Sequence, residues 1–358
     1  MRQVALIFCH GLSCIGAAKR TDEPILTGRH VTTPSNRRSM QSLGVLLGLV
    51  ASSIAAYLWP WTGLSIDPFY LSKTGLLSLV ALTMFSLGVT VKDAELVELR
   101  NRPFAVFLGV VVQCTAMPTL AWLVVNVLSI SGPLAYGVML CGCVPGAMAS
   151  NVLTMTAKGN VSYSVSLTCI ATLLSPLTVP FTLLMVAGLE TGTDTFQPIQ
   201  TATILVITVV IPTLAGYGCR RLVPKTPVAQ RRMLIIASSI ATVALLWIIA
   251  SVVAGNRDRL SLATPGLLGS LLLMNLLGYC SGLIMGKLSK MPVAMRRALT
   301  LEVGMQNAGL GTGLAASLFG DATPAQIPTA AYTFGCMLTG TLLAAFWARL
   351  GATHTDQA

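Results

Sequence analysis

Among the twelve acidic residues of this 358-residue sequence, Glu302 stands apart. The other eleven fall in polar connecting segments, in the termini or at the ends of apolar runs, whereas Glu302 lies more than a turn inside one. A charge in hydrocarbon costs roughly 2.5–3.5 kcal/mol on insertion scales, so this carboxylate needs a partner or a proton. No Lys, Arg or His is expected at its depth. That leaves a bound cation, a proton, or a protonated carboxyl bridging two helices. Gln306 and Asn307 follow one turn later, and Ser150 and Asn151 form a similar polar pair in an earlier apolar run. Ser164 and Thr168 are four apart and share one helical face. Their hydroxyls either join such a site or bond back to the preceding carbonyl. Gln113, isolated in apolar sequence, is either a ligand or an interhelical hydrogen bond, and Asn275 reads as the latter.

The elements that must hold these groups are membrane spans. Hydrophobic residues make up 54% of the chain and charged residues 10%, against about 25% charged in soluble domains. Mean hydropathy is +0.76. Apolar runs of the length that crosses a hydrocarbon core predict ten helices: 41–60, 68–91, 103–127, 132–157, 160–188, 197–219, 232–253, 264–289, 294–319 and 324–349. This pattern describes an all-α polytopic membrane protein. It excludes a soluble enzyme, a nucleic-acid binder and a disulfide-stapled secreted domain.

The net charge of +11 is an orientation signal. When connections are assigned alternately to two sides, only Lys73, Arg257 and Arg259 of the 23 Lys and Arg residues fall on the less basic one. The basic connections include Arg220, Arg221, Arg231, Arg232, Arg296 and Arg297. The positive-inside rule then places both termini in the cytoplasm. The nine cysteines make no CxxC or metal-ligand spacing and read as small buried filler. Residues 1–40 read as a leader, either signal-like or transit-like or disordered, and a start at Met40 would suit the pattern. Residues 351–358 form a short cytoplasmic tail.

Ten spans divide into two halves, 41–188 and 197–349, within a transporter domain of 41–350. Five helices per half force opposite insertion, the arithmetic of an inverted repeat. The fourth span of each half carries an interruption: Pro145-Gly146-Ala147-Met148-Ala149-Ser150-Asn151 in one and Glu302-Val303-Gly304-Met305-Gln306-Asn307-Ala308-Gly309-Leu310-Gly311 in the other. Irregular backbone at that depth is tolerated where it lines a cavity or is buried in protein. Its carbonyls suit a hard cation and its freed helix N-termini an anion, so the expected ligands are an anion together with a metal cation.

Pro145–Asn151, Lys158-Gly159-Asn160-Val161, Ser175-Pro176-Leu177 and above all Glu302-Val303-Gly304-Met305-Gln306-Asn307 resemble the bile acid:sodium symporter family over about residues 41–349. The resemblance implies a panel domain of spans 1, 2, 6 and 7 and a core domain of the other six, with spans 4 and 9 crossing where they unwind. It implies one Na⁺ site at Ser150, Asn151, Ser164, Thr168 and Glu302. A second would use Gln113, Glu302, Gln306 and the carbonyls of Val303 and Met305. It also implies two coupling ions and no organic cofactor.

Met148, Ala149, Asn307, Ala308, Cys336 and Met337 would face the substrate. Here the chain departs from relatives that have Gly-Gly-Thr-Ala-Ser-Asn at 146–151 and His-Asn at 336–337. Those exchanges make the cavity less polar, so the relatives' substrates do not carry over.

An ionised Glu302 with two Na⁺ sums to +1, which a monovalent anion would neutralise. The expectation is sodium-coupled import of an organic carboxylate. Proton-coupled or facilitative transport on the same scaffold is the alternative, and a non-transporting receptor or scaffold a remoter one. No HExxH, GxSxG or paired aspartates occur in the spans, so no covalent chemistry is expected. The expected partners are the organic anion and the lipid bilayer. The expected location is a bacterial inner membrane, with an organelle envelope the alternative. Substrate identity and oligomeric state are not readable.

Overall fold

The computed structural model describes residues 34–190, 197–224 and 226–350, with side chains described from residue 44 onward and not at 94, 95, 97, 98 and 187–190. The leader up to residue 33 and the tail 351–358 lie outside the described residues.

Among the described residues the structure is helical, with a single isolated bridge and no strand. Helices α1 (Pro34–Leu58) and α2 (Lys73–Thr90) are followed by a short α3 (Val97–Asn101) and a long α4 (Pro103–Val127). Then come α5 (Gly132–Cys143), α6 (Ala149–Thr156) and α7 (Val161–Glu190). The second part holds α8 (Pro198–Leu205), α9 (Ile211–Leu222), α10 (Pro227–Gly255), α11 (Pro265–Leu288), α12 (Val293–Gly304), α13 (Ala308–Phe319) and α14 (Gln326–Leu350). A π turn, Val206–Val210, joins α8 to α9. Pro212 lies just beyond it, and its missing N–H removes one ladder bond, a common cause of such a bulge. Eight helical stretches in the described residues are long and apolar enough to cross a membrane.

The expected fourth and ninth spans are the two interrupted ones. They are built as the pairs α5/α6 and α12/α13. Elsewhere boundaries shift. The second span starts at Lys73 rather than 68, because Ser72 caps it and the Asp321 carboxylate accepts from the Lys73 N–H at 2.5 Å. The first helix begins at Pro34 and runs through Met40.

Several basic residues counted with the connections, or at the first residues of an expected span, sit within helices. Arg220 and Arg221 close α9, Arg231 and Arg232 lie in the second turn of α10, and Arg296 and Arg297 lie in α12. Arg297 is buried and donates to the Ala157 carbonyl at 2.8 Å. Its long stem lets a basic residue enter a helix while its head finds a carbonyl. The cysteines also divide: Cys141, Cys143, Cys169 and Cys336 are buried, but Cys219 and Cys280 are exposed, contrary to a uniform filler role.

Helices α1, α2, α9 and α10 pack on one another, as do α4, α5, α7, α11, α12 and α14. Helices α2 and α9 meet backbone to backbone, since a Cβ at Gly88 would strike the Thr213 carbonyl and one at Gly216 the Phe85 carbonyl. Small residues permit such approach where no hydrophobic effect drives helix association. On the side carrying Lys73, Arg257 and Arg259, Arg257 pairs with Asp67 at 2.5 Å, and Arg259 donates to the Ala322 carbonyl at 2.6 Å.

Candidate functional site

The two interruptions meet. Helix α5 stops at Cys143, ahead of Val144-Pro145-Gly146, and α12 stops at Gly304. Pro145 cannot donate a ladder bond, and Gly146 has no side chain to pack. The loosened segments pair with each other: Ala147 N–H donates to the Met305 carbonyl at 2.7 Å and Asn307 N–H to the Pro145 carbonyl at 2.8 Å, making an antiparallel bridge at Gly146 and Gln306. Backbone groups freed from the two helices thereby satisfy one another without water.

Glu302 occupies the last turn of α12 and is fully buried. Its Oε2 accepts from Ser150 Oγ at 2.5 Å and from Ser164 Oγ at 3.2 Å, and its Oε1 accepts from Thr168 Oγ1 at 2.5 Å. Its side-chain partners are thus three hydroxyls and no basic group. Ser150 comes from the first turn of α6, and Ser164 and Thr168 from successive turns of α7, as their spacing predicts. Thr168 also faces the Ser164 carbonyl at 3.0 Å and Asn151 Oδ1 at 3.4 Å, so back-bonding and site contact coexist. One hydroxyl proton serves three acceptors there, leaving an excess of oxygen lone pairs. Thr154, which the sequence reading passed over, adds its hydroxyl to Ser164 Oγ at 3.3 Å. Its signal was its place one turn after Ser150 on the same helix.

A second group lies beside the first. Gln113 is buried on α4, and neither of its amide atoms has a hydrogen-bond partner. Gln306 Nε2 donates to the Val303 carbonyl at 2.9 Å, while its Oε1 has no partner. A Cβ placed on Gly146 would stand 2.5 Å from Glu302 Oε1 and 3.1 Å from Gln113 Nε2, so glycine there lets the amide and the carboxylate close on one backbone point. Buried polar atoms are almost always bonded. The amide oxygens of Gln113 and Gln306 are both buried and unbonded, and such unsatisfied oxygens fit a small hard cation.

The residues expected to face a substrate are less uniform. Met148, Ala149 and Asn307 are half-buried, while Ala308, Cys336 and Met337 are buried. Asn307 Oδ1 caps α13 by accepting from Leu310 N–H at 3.1 Å, which leaves its amide N–H groups for any ligand. Cys336 Sγ turns back to the Thr333 carbonyl at 3.4 Å.

Behind Gly304 lies a network that the sequence reading missed except for Asn275. Asn275 Nδ2 and the Tyr332 hydroxyl both donate to the Gly304 carbonyl, at 2.7 and 2.8 Å. Thr339 Oγ1 donates to Asn275 Oδ1 at 2.6 Å, and Tyr279 OH lies 3.2 Å from Thr339 Oγ1. Asn275 with Tyr279, at i and i+4 in otherwise apolar sequence, was the available signal.

Comparison with known proteins shows the family. A profile described as the Sodium Bile acid symporter family matches residues 77–262, which include Gln113, Ser150, Asn151, Ser164 and Thr168. The "Uncharacterized sodium-dependent transporter YocS" of Bacillus subtilis is 33% identical over 273 residues, 75% of this chain and 82% of that protein. The "Probable sodium/metabolite cotransporter BASS1, chloroplastic" of Arabidopsis thaliana is 29% identical over 316 residues, 86% of this chain and 72% of the relative. The "Ileal sodium/bile acid cotransporter" of Oryctolagus cuniculus is 27% identical over 239 residues, 66% of this chain and 68% of the relative. With a profile spanning more than half its length and a relative at this identity, the chain belongs to the sodium bile acid symporter family, whose members are membrane transporters rather than enzymes.

Proposed function

We propose that the protein imports an organic anion together with sodium by alternating access. The observation that carries this reading is Glu302: a fully buried carboxylate with three hydroxyl partners and no cationic side chain, set against a pair of crossed helix breaks. A cation supplied from solution would complete the charge balance. Ser150, Asn151, Ser164, Thr168 and Glu302 would hold one Na⁺. Glu302, Gln113, Gln306 and the carbonyls of Val303 and Met305 would hold the other. Supporting the second site, Gln113 and Gln306 keep unbonded amide oxygens in the interior.

The scaffold would be ten spans in two inverted halves, with α5/α6 and α12/α13 each counting as one broken span. The group α1, α2, α8–α10 would act as a panel against which the remaining helices rock. Both ions and a monovalent carboxylate would move one net charge inward, worth about 2.3 kcal/mol per 100 mV. The anion would contact the weakly polar surface of Met148, Ala149, Asn307, Ala308, Cys336 and Met337. Both termini would face the cytoplasm of a bacterial cell.

Proteoliposomes test this reading directly. Uptake of radiolabelled monocarboxylates should require external Na⁺ and collapse when choline replaces it. Equal uptake in the two salts would overturn the proposal.

A further inference from the structure

The broken end of α12 is a helix C-terminus buried in the protein, and its last carbonyls need partners from elsewhere. The Leu301 carbonyl takes the Met305 N–H at 2.9 Å. The Gly304 carbonyl takes two side-chain donors, Asn275 Nδ2 from α11 and the Tyr332 hydroxyl from α14. A carbonyl has two acceptor positions, so Gly304 is filled. Its neighbours are not: the Val303 carbonyl receives Gln306 Nε2 and the Met305 carbonyl receives Ala147 N–H, one side-chain or bridge donor each.

The clasp is also closely packed. Asn275 and Tyr332 are each 1% exposed. Thr339 fixes the far end of the Asn275 amide, and the Tyr279 ring packs where a Cβ on Gly304 would stand. No side-chain atom of Asn275, Tyr279, Tyr332 or Thr339 is left buried without a partner.

We infer that Asn275 and Tyr332 are positioning residues for the second cation. By saturating the Gly304 carbonyl they deny it to the ion. They also anchor the peptide whose flanking carbonyls, Val303 and Met305, retain a free acceptor position. They touch no ion themselves. Thr339, its hydroxyl shared between Asn275 Oδ1 at 2.6 Å and the Gly335 carbonyl at 2.8 Å, holds the Asn275 oxygen on the side away from Gly304. This assignment rests on the sodium reading above and adds to it two residues that set ion affinity and size selectivity from outside the ligand shell. Such outer partners typically change metal affinity by 10–100-fold when removed.

The test is cation-dependent thermal stabilisation of the purified full chain, with NaCl and LiCl as the probes and choline chloride as the blank. Tyr332→Phe removes one donor and keeps the ring. It should raise the half-saturating Na⁺ concentration about tenfold and change the Na⁺/Li⁺ preference, because a displaced carbonyl alters cavity size. Asn275→Ala should do so more strongly. Should it fail to fold in choline, Tyr332→Phe alone decides. Ser270→Ala, which removes a back-bonded hydroxyl elsewhere on α11, should match the parent.

A parent that responds to Na⁺ while Tyr332→Phe gives the same midpoint and the same Na⁺/Li⁺ ratio overturns the positioning role. A lower melting temperature with an unchanged ratio also overturns it, since that is a purely structural effect. A parent that shows no Na⁺ response overturns the sodium reading itself, and the inference falls with it.

Discussion

At the first interruption the neighbouring long helix offers Gln113, buried with neither amide atom bonded; at the second it offers Asn275, bonded at both ends. Each is the eleventh residue of its helix, counted from Pro103 in α4 and Pro265 in α11. Two amides at the same count along their helices have thus received opposite treatment. The second half supplies the carboxylate, Glu302, and a clasped backbone. The first half supplies neutral oxygens, those of Ser150, Asn151, Ser164, Thr168 and Gln113, with donors and acceptors left over. A completed network fixes geometry, and an incomplete one leaves coordination for something that comes and goes. The contrast is between a Gly304 carbonyl closed off by its neighbours and a Gln113 amide left open.

Substitutions put that contrast to the test. The largest effect is expected at the charge itself. Glu302→Gln should weaken Na⁺ half-saturation by at least about a hundredfold, the scale of losing one partner of a buried ion pair, measured by uptake or thermal shift. Retained exchange that loses only its pH dependence would instead mark Glu302 as a proton carrier.

Next, Asn275→Leu should lower stability by about 2 kcal/mol in choline, because it strips a donor from Gly304 and an acceptor from Thr339. Gln113→Leu should move the other way, raising stability by about 1 kcal/mol when an unbonded amide is replaced by apolar volume. The same change should reduce the Na⁺ response from two ions to one. If both leucine variants destabilise equally, the two amides are equivalent and the contrast fails.

The smallest effect is expected outside the membrane. Asp93 accepts from the Tyr217 hydroxyl, which holds its carboxyl below its ordinary value of 3.8, with Arg221 at 3.5 Å adding to the shift. A depressed carboxyl stabilises the fold above its unfolded value and loses that contribution as pH falls through the folded one. The difference in melting temperature between the parent and Asp93→Asn should therefore be constant near neutrality and shrink below pH 3.8. Uptake at neutral pH should not change.

Much of this is legible in the sequence because membrane proteins carry few kinds of signal. Apolar length set the spans, and helix breakers within them set the two interruptions. Insertion cost singled out Glu302, and helical spacing put Ser164 and Thr168 on one face. What escaped depends on contacts between distant segments. The capping of α2 by Asp321 moved its start, and the Ala157 carbonyl lets Arg297 sit within α12. Tyr332 and Thr339 belong to the Gly304 clasp only because α14 passes behind it. The outward-facing Cys219 and Cys280 are not legible either, since composition alone does not say which side of an all-apolar helix is inside.

The bridge between Gly146 and Gln306 bears on how the chain is made. Until α12 and α13 are synthesised, the Pro145 carbonyl and the Ala147 amide have no bridge partner. Hydrocarbon offers no substitute for that partner. Before then these two groups need other partners, and the final pairing forms only after the later pair of helices has been synthesised. A chain truncated before Val293 should accumulate as a substrate for membrane proteases rather than as a stable half-transporter.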